Sequence, residues 1–194
     1  MRQVIYAMTV SIDGYIADRD GAIDWSGPDD ELFRFHTQRV EETDVQLCGR
    51  RLYETMLYWE TVEESSLTAD HLKFAQTWKS LPKLVFSTTL DNVVGNTKLV
   101  RDGVADEISR LKKLPGKDIA VGGAGLARSC MELIDEWRLF VSPVVLGGGT
   151  PYFPPLDGKI NVELVETRTF GSRIVYLRYR RVPDVHSVVH SFIL

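Results

Sequence analysis

Four short stretches of this 194-residue chain combine residue types able to hold a charged small molecule. Ile119-Ala120-Val121-Gly122-Gly123-Ala124-Gly125 reads as an apolar strand that turns on glycines into a helix. Glycine lets a phosphate approach the backbone, and a helix start offers free N–H groups at the positive end of its dipole. The same pattern also makes a plain strand-to-helix turn. Cys48-Gly49-Arg50-Arg51-Leu52 ends a strand in glycine and opens a helix on two arginines. Arginine forks suit phosphate oxygens, and arginine at a helix start opposes the dipole unless an anion compensates; a solvated surface pair is the alternative. Ile23-Asp24-Trp25-Ser26-Gly27-Pro28-Asp29-Asp30 sets a tryptophan beside acids at a helix start. One carboxylate facing an apolar pocket could anchor a nitrogen heterocycle and assist its protonation, although acids at such positions also serve simply as caps. Gly147-Gly148-Gly149-Thr150-Pro151 is a binding loop or a bend, and its residues alone do not decide which.

Several other chemistries are not written in this chain. Reading GxGxxG from Gly123 puts the third glycine on Arg128, so the dinucleotide fingerprint of doubly wound folds is absent. There is no GxxxxGK[ST] loop and no GxSxG elbow. His36, His71, His186 and His190 have no paired metal spacing, and the two cysteines, Cys48 and Cys130, read as buried thiols. No metal site is expected.

The elements that must position these residues follow from periodicity. Strands are expected over 2–12, 44–48, 83–87, 97–100, 119–121 and 137–141, with a short extended piece at Tyr15-Ile16-Ala17. Helices are expected from Pro28-Asp29-Asp30-Glu31, from Arg50 to Met56, from Ser66 to Lys79, from Asp102 (as cap) to Leu114, and from Gly122-Gly123 to about Leu133. Residues 144–155 read as a loop. Two alternating segments, 162–170 and 173–181, predict an antiparallel hairpin around Gly171-Ser172. Strands alternating with helices predict one α/β domain over residues 1–194, with a mixed, mostly parallel sheet and helices on both faces. The mildly apolar tail, 185–194, would add an edge strand or pack on a partner.

Composition agrees. Hydrophobic residues make up 44% and charged residues 26%, and the net charge of −4 gives no sign of a nucleic-acid or anionic-membrane binder. The N-terminus starts on a strand-like run without a secretory leader pattern, so a cytoplasmic protein is expected.

Taken in order, these pieces resemble the dihydrofolate-reductase superfamily and, within it, the reductase domain of bacterial riboflavin-biosynthesis proteins. The resembling segments are Ser11-Ile12-Asp13-Gly14-Tyr15-Ile16-Ala17, Gly49-Arg50-Arg51-Leu52-Tyr53-Glu54, Leu84-Val85-Phe86-Ser87, Val121-Gly122-Gly123-Ala124-Gly125-Leu126 and residues 133–149. The resemblance implies a three-layer dihydrofolate-reductase-like fold and an NADPH-dependent reductase of a pteridine- or pyrimidine-type heterocycle. A nucleotide-binding or sensory module that kept only the cleft is the alternative. It implies Ala7, Ile16 and Ala17 near the nicotinamide, Gly49, Arg50 and Arg51 at the 2′-phosphate, Ser87 and Thr88 on the adenosine side, and Gly122, Gly123, Ala124, Gly125 and Leu126 around the diphosphate. Asp30 would be the ring-binding acid, with Asp13, Trp25 and Phe33 on the substrate side. Riboflavin-pathway reductases commonly carry lysine where this chain has Ala7, and Gly-Ala-Gly-Thr where it has Gly49-Arg50-Arg51-Leu52. The companion deaminase signature is absent. A small-molecule heterocycle is the expected partner, and relatives of this kind often pair, so a homodimer burying the tail near Phe192 and Leu194 is expected.

Overall fold

The computed structural model describes residues 2–156 and 158–183. The expected tail interface lies outside these residues. An eight-stranded sheet runs through the molecule in the order β5-β4-β3-β6-β1-β7-β10-β9. Its strands are β1 (Val4–Ser11), β3 (Thr43–Gly49), β4 (Lys83–Phe86), β5 (Thr97–Val100), β6 (Asp118–Gly122), β7 (Glu136–Ser142), β9 (Val162–Thr169) and β10 (Val175–Arg181). From β5 to β7 neighbours are parallel; β10 joins β7, and β9 joins β10, antiparallel. The parallel strands carry apolar residues on both faces because helices cover both.

Helices α1 (Asp30–Glu41), α2 (Arg50–Thr61) and α3 (Ala69–Ser80) pack on one face, and α4 (Val104–Lys112) and α5 (Ala124–Ser129) on the other. On the α4–α5 face Val4, Tyr6, Leu47, Ile119, Val121 and Trp137 meet Ile108, Leu111, Leu126, Ala127 and Ile134 in one closed core. On the α1–α3 face the aromatic residues form two clusters. Phe33, Tyr53, Phe74 and Trp78 lie towards β3 and β4. Phe35, Phe140, Phe170 and Tyr176 lie towards β10. Between them the strands present small residues.

The expected architecture holds, with local differences. The helix expected from Gly122 to Leu133 is split: α5 ends at Ser129, and Met131–Leu133 forms a separate 3₁₀ turn. Gly103, left-handed at φ 75°, caps α4 in place of Asp102. The loop after β7 contains a short strand, β8 (Thr150–Pro151), paired with β2 (Tyr15–Ala17). The final hairpin turns at Gly171-Ser172 as expected, with Arg173 left-handed at φ 65°. Cys48 and Cys130 are buried free thiols, and burial pushes both up to about 12. Among the described residues no helix is long and apolar enough to cross a membrane, and no cluster of three metal-ligating side chains occurs.

Candidate functional site

The adjacent parallel strands β3 and β6 both end in glycine, and both run straight into a helix. Cys48 pairs in register with Gly122, so the two turns lie side by side. A side-chain carbon placed on Gly123 would sit 3.8 Å from the Gly49 amide nitrogen. Gly123 has φ +94°, a conformation that side-chain-bearing residues rarely adopt. A carbon on Gly122 would run into the Leu52 side chain. The sequence folds this way because only glycine permits both the conformation and the contact.

These two helix starts differ from others in the protein. Asp29 caps α1 by accepting from the Leu32 N–H at 2.8 Å, which holds its carboxyl below the usual carboxylate range. Thr68 caps α3 in the same manner. By contrast, α2 and α5 have no side-chain cap and no acid in the first turn. Their free N–H groups are left for a ligand or water. The arginines expected to face a phosphate stand at the start of α2. Arg50 is held by Glu54 at 2.7 Å and by the Thr89 hydroxyl at 2.8 Å.

Three spaces that share lining residues lie over and beside these turns. An inner part of about 410 Å³ is lined by Met8, Ile16, Ala17, Gly49, Arg50, Arg51, Leu52 and the run Gly123 to Leu126. It shares Gly49, Arg50, Gly125 and Leu126 with an outer part of about 530 Å³, bounded also by Phe86, Ser87, Thr88 and Arg101. There the Ser87 hydroxyl accepts from the Thr89 and Leu90 N–H groups. In the other direction Met8 and Leu52 separate the groove from a cavity of about 290 Å³ under α1, α2 and α3. Ala7, Thr9, Ala120 and Gly122 lie along the sheet side of that cavity, and Phe33, His36, Arg39, Trp59, Phe74 and Trp78 along the helix side. Such a crevice at the carboxyl ends of parallel strands is the usual ligand position in α/β sheets.

Every residue expected around the dinucleotide lines one of these three spaces, as does Phe33. Asp13, Trp25 and Asp30 do not. Asp13 accepts from the Leu146 and Gly147 N–H groups and ties the first turn to the glycine-rich loop. Gly149 in that loop passes so close to the Ala17 carbonyl that no side chain fits. The Trp25 indole N–H donates to the Ala22 carbonyl. Asp30 is exposed at the first position of α1, although its neighbours Pro28 and Phe33 reach the cavity.

Sequence reasoning missed several lining residues. His36 packs against Phe140 with ring centroids 4.4 Å apart, and burial lowers it to about 4. It is therefore neutral at pH 7 and can donate or accept a hydrogen bond there. Arg138 is buried on β7 opposite Ala7, in an ion pair with Glu136 at 2.7 Å. Burial pushes the Glu136 carboxyl up, but the Arg178 hydrogen bond and the Arg138 charge outweigh it and hold it below its ordinary value. The alternation of β7, with Glu136, Arg138, Phe140 and Ser142 on one face, was the available signal.

Comparisons with known proteins bear on the family and the fold. The family model of the RibD C-terminal domain matches residues 2–176. The chain is 34% identical over 184 residues to the uncharacterized protein YyaP of Bacillus subtilis, covering 92% of this chain and 94% of that protein. Among solved structures, a putative riboflavin biosynthesis protein from Shewanella sp. PV-4 superposes with a TM-score of 0.71 at 22% identity, covering 93% of this chain and 99% of that one. Dihydrofolate reductase from Enterococcus faecalis, solved with NADP(H) and RAB-propyl, superposes with a TM-score of 0.62 at 13% identity, covering 92% and 96%. These likenesses are of fold: the chain has the dihydrofolate-reductase-like architecture.

Proposed function

The chain belongs to the RibD C-terminal domain family, and from that premise we propose that it is an NADPH-dependent reductase of a small cyclic substrate. One observation carries the reading: two uncapped glycine turns abut at the strand ends and floor a groove that shares Met8 and Leu52 with a neighbouring, largely apolar cavity. Such a groove suits an extended dinucleotide with its reactive ring at the cavity. The residues fit such a group: the groove's inner part is lined by bare backbone at Gly49 and Gly123 and by Arg50 and Arg51, with no aspartate or glutamate among its described lining residues.

On this reading Gly122 to Leu126 take the diphosphate. Arg50 and Arg51 take the 2′-phosphate, which favours NADPH over NADH. Ser87 and Thr88 flank the adenosine, and Ala7, Ile16 and Ala17 flank the nicotinamide. When bound, the dinucleotide supplies a hydride to an electron-poor C=O or C=N carbon. The protein's share is to bind, orient and exclude water: Phe33, Trp59 and Phe140 enclose the ring, and neutral His36 offers it a hydrogen bond.

Titration of the full chain with NADPH and NADH tests this. Micromolar binding of NADPH, weaker binding of NADH, and NADPH oxidation with a panel of cyclic carbonyl and imine compounds are expected. The panel includes the ribosylaminopyrimidine phosphate reduced in riboflavin biosynthesis. Absence of NADPH binding at millimolar concentration would overturn the reading. Binding without oxidation across the panel would favour a sensory module.

A further inference from the structure

Twenty of the described residues line the cavity beneath α1, α2 and α3, and none of these is an aspartate or glutamate. The charged residues among them are arginines, Arg39 on the helix side and Arg138 on the sheet side. Their partner acids, Glu42 and Glu136, do not line it. Glu136 is also held by Arg178 at 2.8 Å, so one buried carboxylate is divided between guanidinium groups. Within the lining itself the formal charge is positive, and Arg178 is shared in turn with Glu166 at 3.7 Å outside it. The remaining polar lining residues, His36, Thr9, Thr43, Gln46, Trp59 and Trp78, all carry N–H or O–H donors. The Trp78 indole N–H and the Arg39 Nε have no acceptor among the described residues.

An amidine-like edge, as in a 2-aminopyrimidine, presents donors and gains from a facing carboxylate. Here it would meet the like charge of Arg39 and Arg138 and no carboxylate, with only the neutral acceptors of Thr9, Thr43, Gln46 and His36 to take its N–H groups. A carbonyl or carboxylate oxygen would meet the reverse. The aromatic wall, with Phe33 5.1 Å from Phe74 and 5.6 Å from Trp59, favours a flat apolar body.

We infer that this cavity selects flat, largely apolar ring compounds bearing carbonyl or carboxylate oxygens and discriminates against amidine-edged rings. The inference deepens the reductase reading and rests on it for the statement that the bound ring is the hydride acceptor; the selectivity is a property of the cavity alone.

Calorimetric titration of the full chain, with and without saturating NADP⁺, tests it with three isosteric probes: 2-naphthoate, 2-naphthamide and 2-naphthamidine. Naphthoate is expected to bind at least about tenfold more tightly than naphthamidine. Arg39→Gln should weaken naphthoate about tenfold while moving naphthamide less than about twofold. Arg138→Lys, checked for an unchanged melting temperature, serves as the second variant because it keeps the charge facing Glu136 but loses the fork. Equal or tighter binding of naphthamidine overturns the inference, as does failure of all three probes to bind at millimolar concentration. Unchanged naphthoate affinity in both variants overturns it too. The NADP⁺ titration is read separately: naphthoate selectivity without dinucleotide binding would sustain the cavity's preference and overturn the reductase reading.

Discussion

The two faces of the sheet are made by the same strands and solve different problems. On the α4–α5 face alternate residues of β1, β3 and β6 are large and apolar, and Val4, Tyr6, Leu47 and Ile119 are fully buried. Their neighbours in the chain, Ala7, Thr9, Gln46, Ala120 and Gly122, turn to the other face and are small or polar. Strand alternation thus places a packed core and a lined cavity back to back, about one sheet thickness apart. One face supplies stability. The other gives up packing to keep space for a ligand and holds Arg138 and Glu136 in a buried charge network.

Trp137 should show the largest contrast. It is 1% exposed in the closed core, with the Arg181 guanidinium over its ring at 5.0 Å. Trp137→Ala should cost about 3–5 kcal/mol, read as a fall in the denaturant midpoint, because packed surroundings cannot collapse into the void. A cost below about 1 kcal/mol would show that the face is not a closed core.

His36 gives the next effect, on the cavity side. Its folded value of about 4 lies below its ordinary 6.5. Between these values the unfolded chain binds more protons than the folded one, so stability rises with pH across the window. The contribution is complete above pH 6.5 and is lost as pH falls towards 4, a change on the order of 3 kcal/mol. His36→Phe should flatten the stability profile between pH 4 and 6.5. A slope unchanged by the substitution would place the titration elsewhere.

The closed face and the strand-end turns were the legible parts of the sequence. Apolar runs bounded by Pro115-Gly116 or Gly122-Gly123 announce parallel strands and helices, and the glycines at 49 and 122–123 announce the strand-to-helix turns. The cavity was not legible, because it is defined by what is missing. Ala7 and Ala120 look like ordinary strand residues until register sets Ala120 beside Ile5 and Ala7 beside Arg138. The charge pair Arg138 and Glu136 stands two residues apart in a strand otherwise apolar, and only its burial makes it notable. Asp30 illustrates the opposite hazard. A position next to Pro28 and Phe33 suggests a pocket acid, yet the first turn of α1 leaves it in solvent while Asp29 serves as the cap.

At the groove, Arg50→Gln and Arg51→Gln should each raise the NADPH dissociation constant about tenfold, roughly 1.4 kcal/mol, and leave NADH within about twofold. Both arginines are exposed, so thermal stability should barely move. Equal losses for both dinucleotides would assign the arginines to the diphosphate instead of the 2′-phosphate.

The smallest stability effect should come from filling the space on the cavity side. Ala120 lies on the cavity's sheet side, between Gln46 of β3 and Ile5 of β1. Ala120→Leu adds three carbons. In a packed core such an insertion costs about 1–3 kcal/mol through forced rotamers. Here a space of about 290 Å³ can receive it. The added burial offsets residual strain, and the net change should stay within about 1 kcal/mol of zero. Its effect on ligands should be the reverse in scale: 2-naphthoate binding should fall beyond detection while NADPH affinity stays within about threefold, because Ala120 lines the cavity and not the groove along Gly123 to Leu126 that would hold most of the dinucleotide. Val121→Phe, one residue along and directed into the closed core, is the control and should destabilise by more than Ala120→Leu. If the two substitutions cost the same, the faces do not differ in packing and the cavity is not a built space.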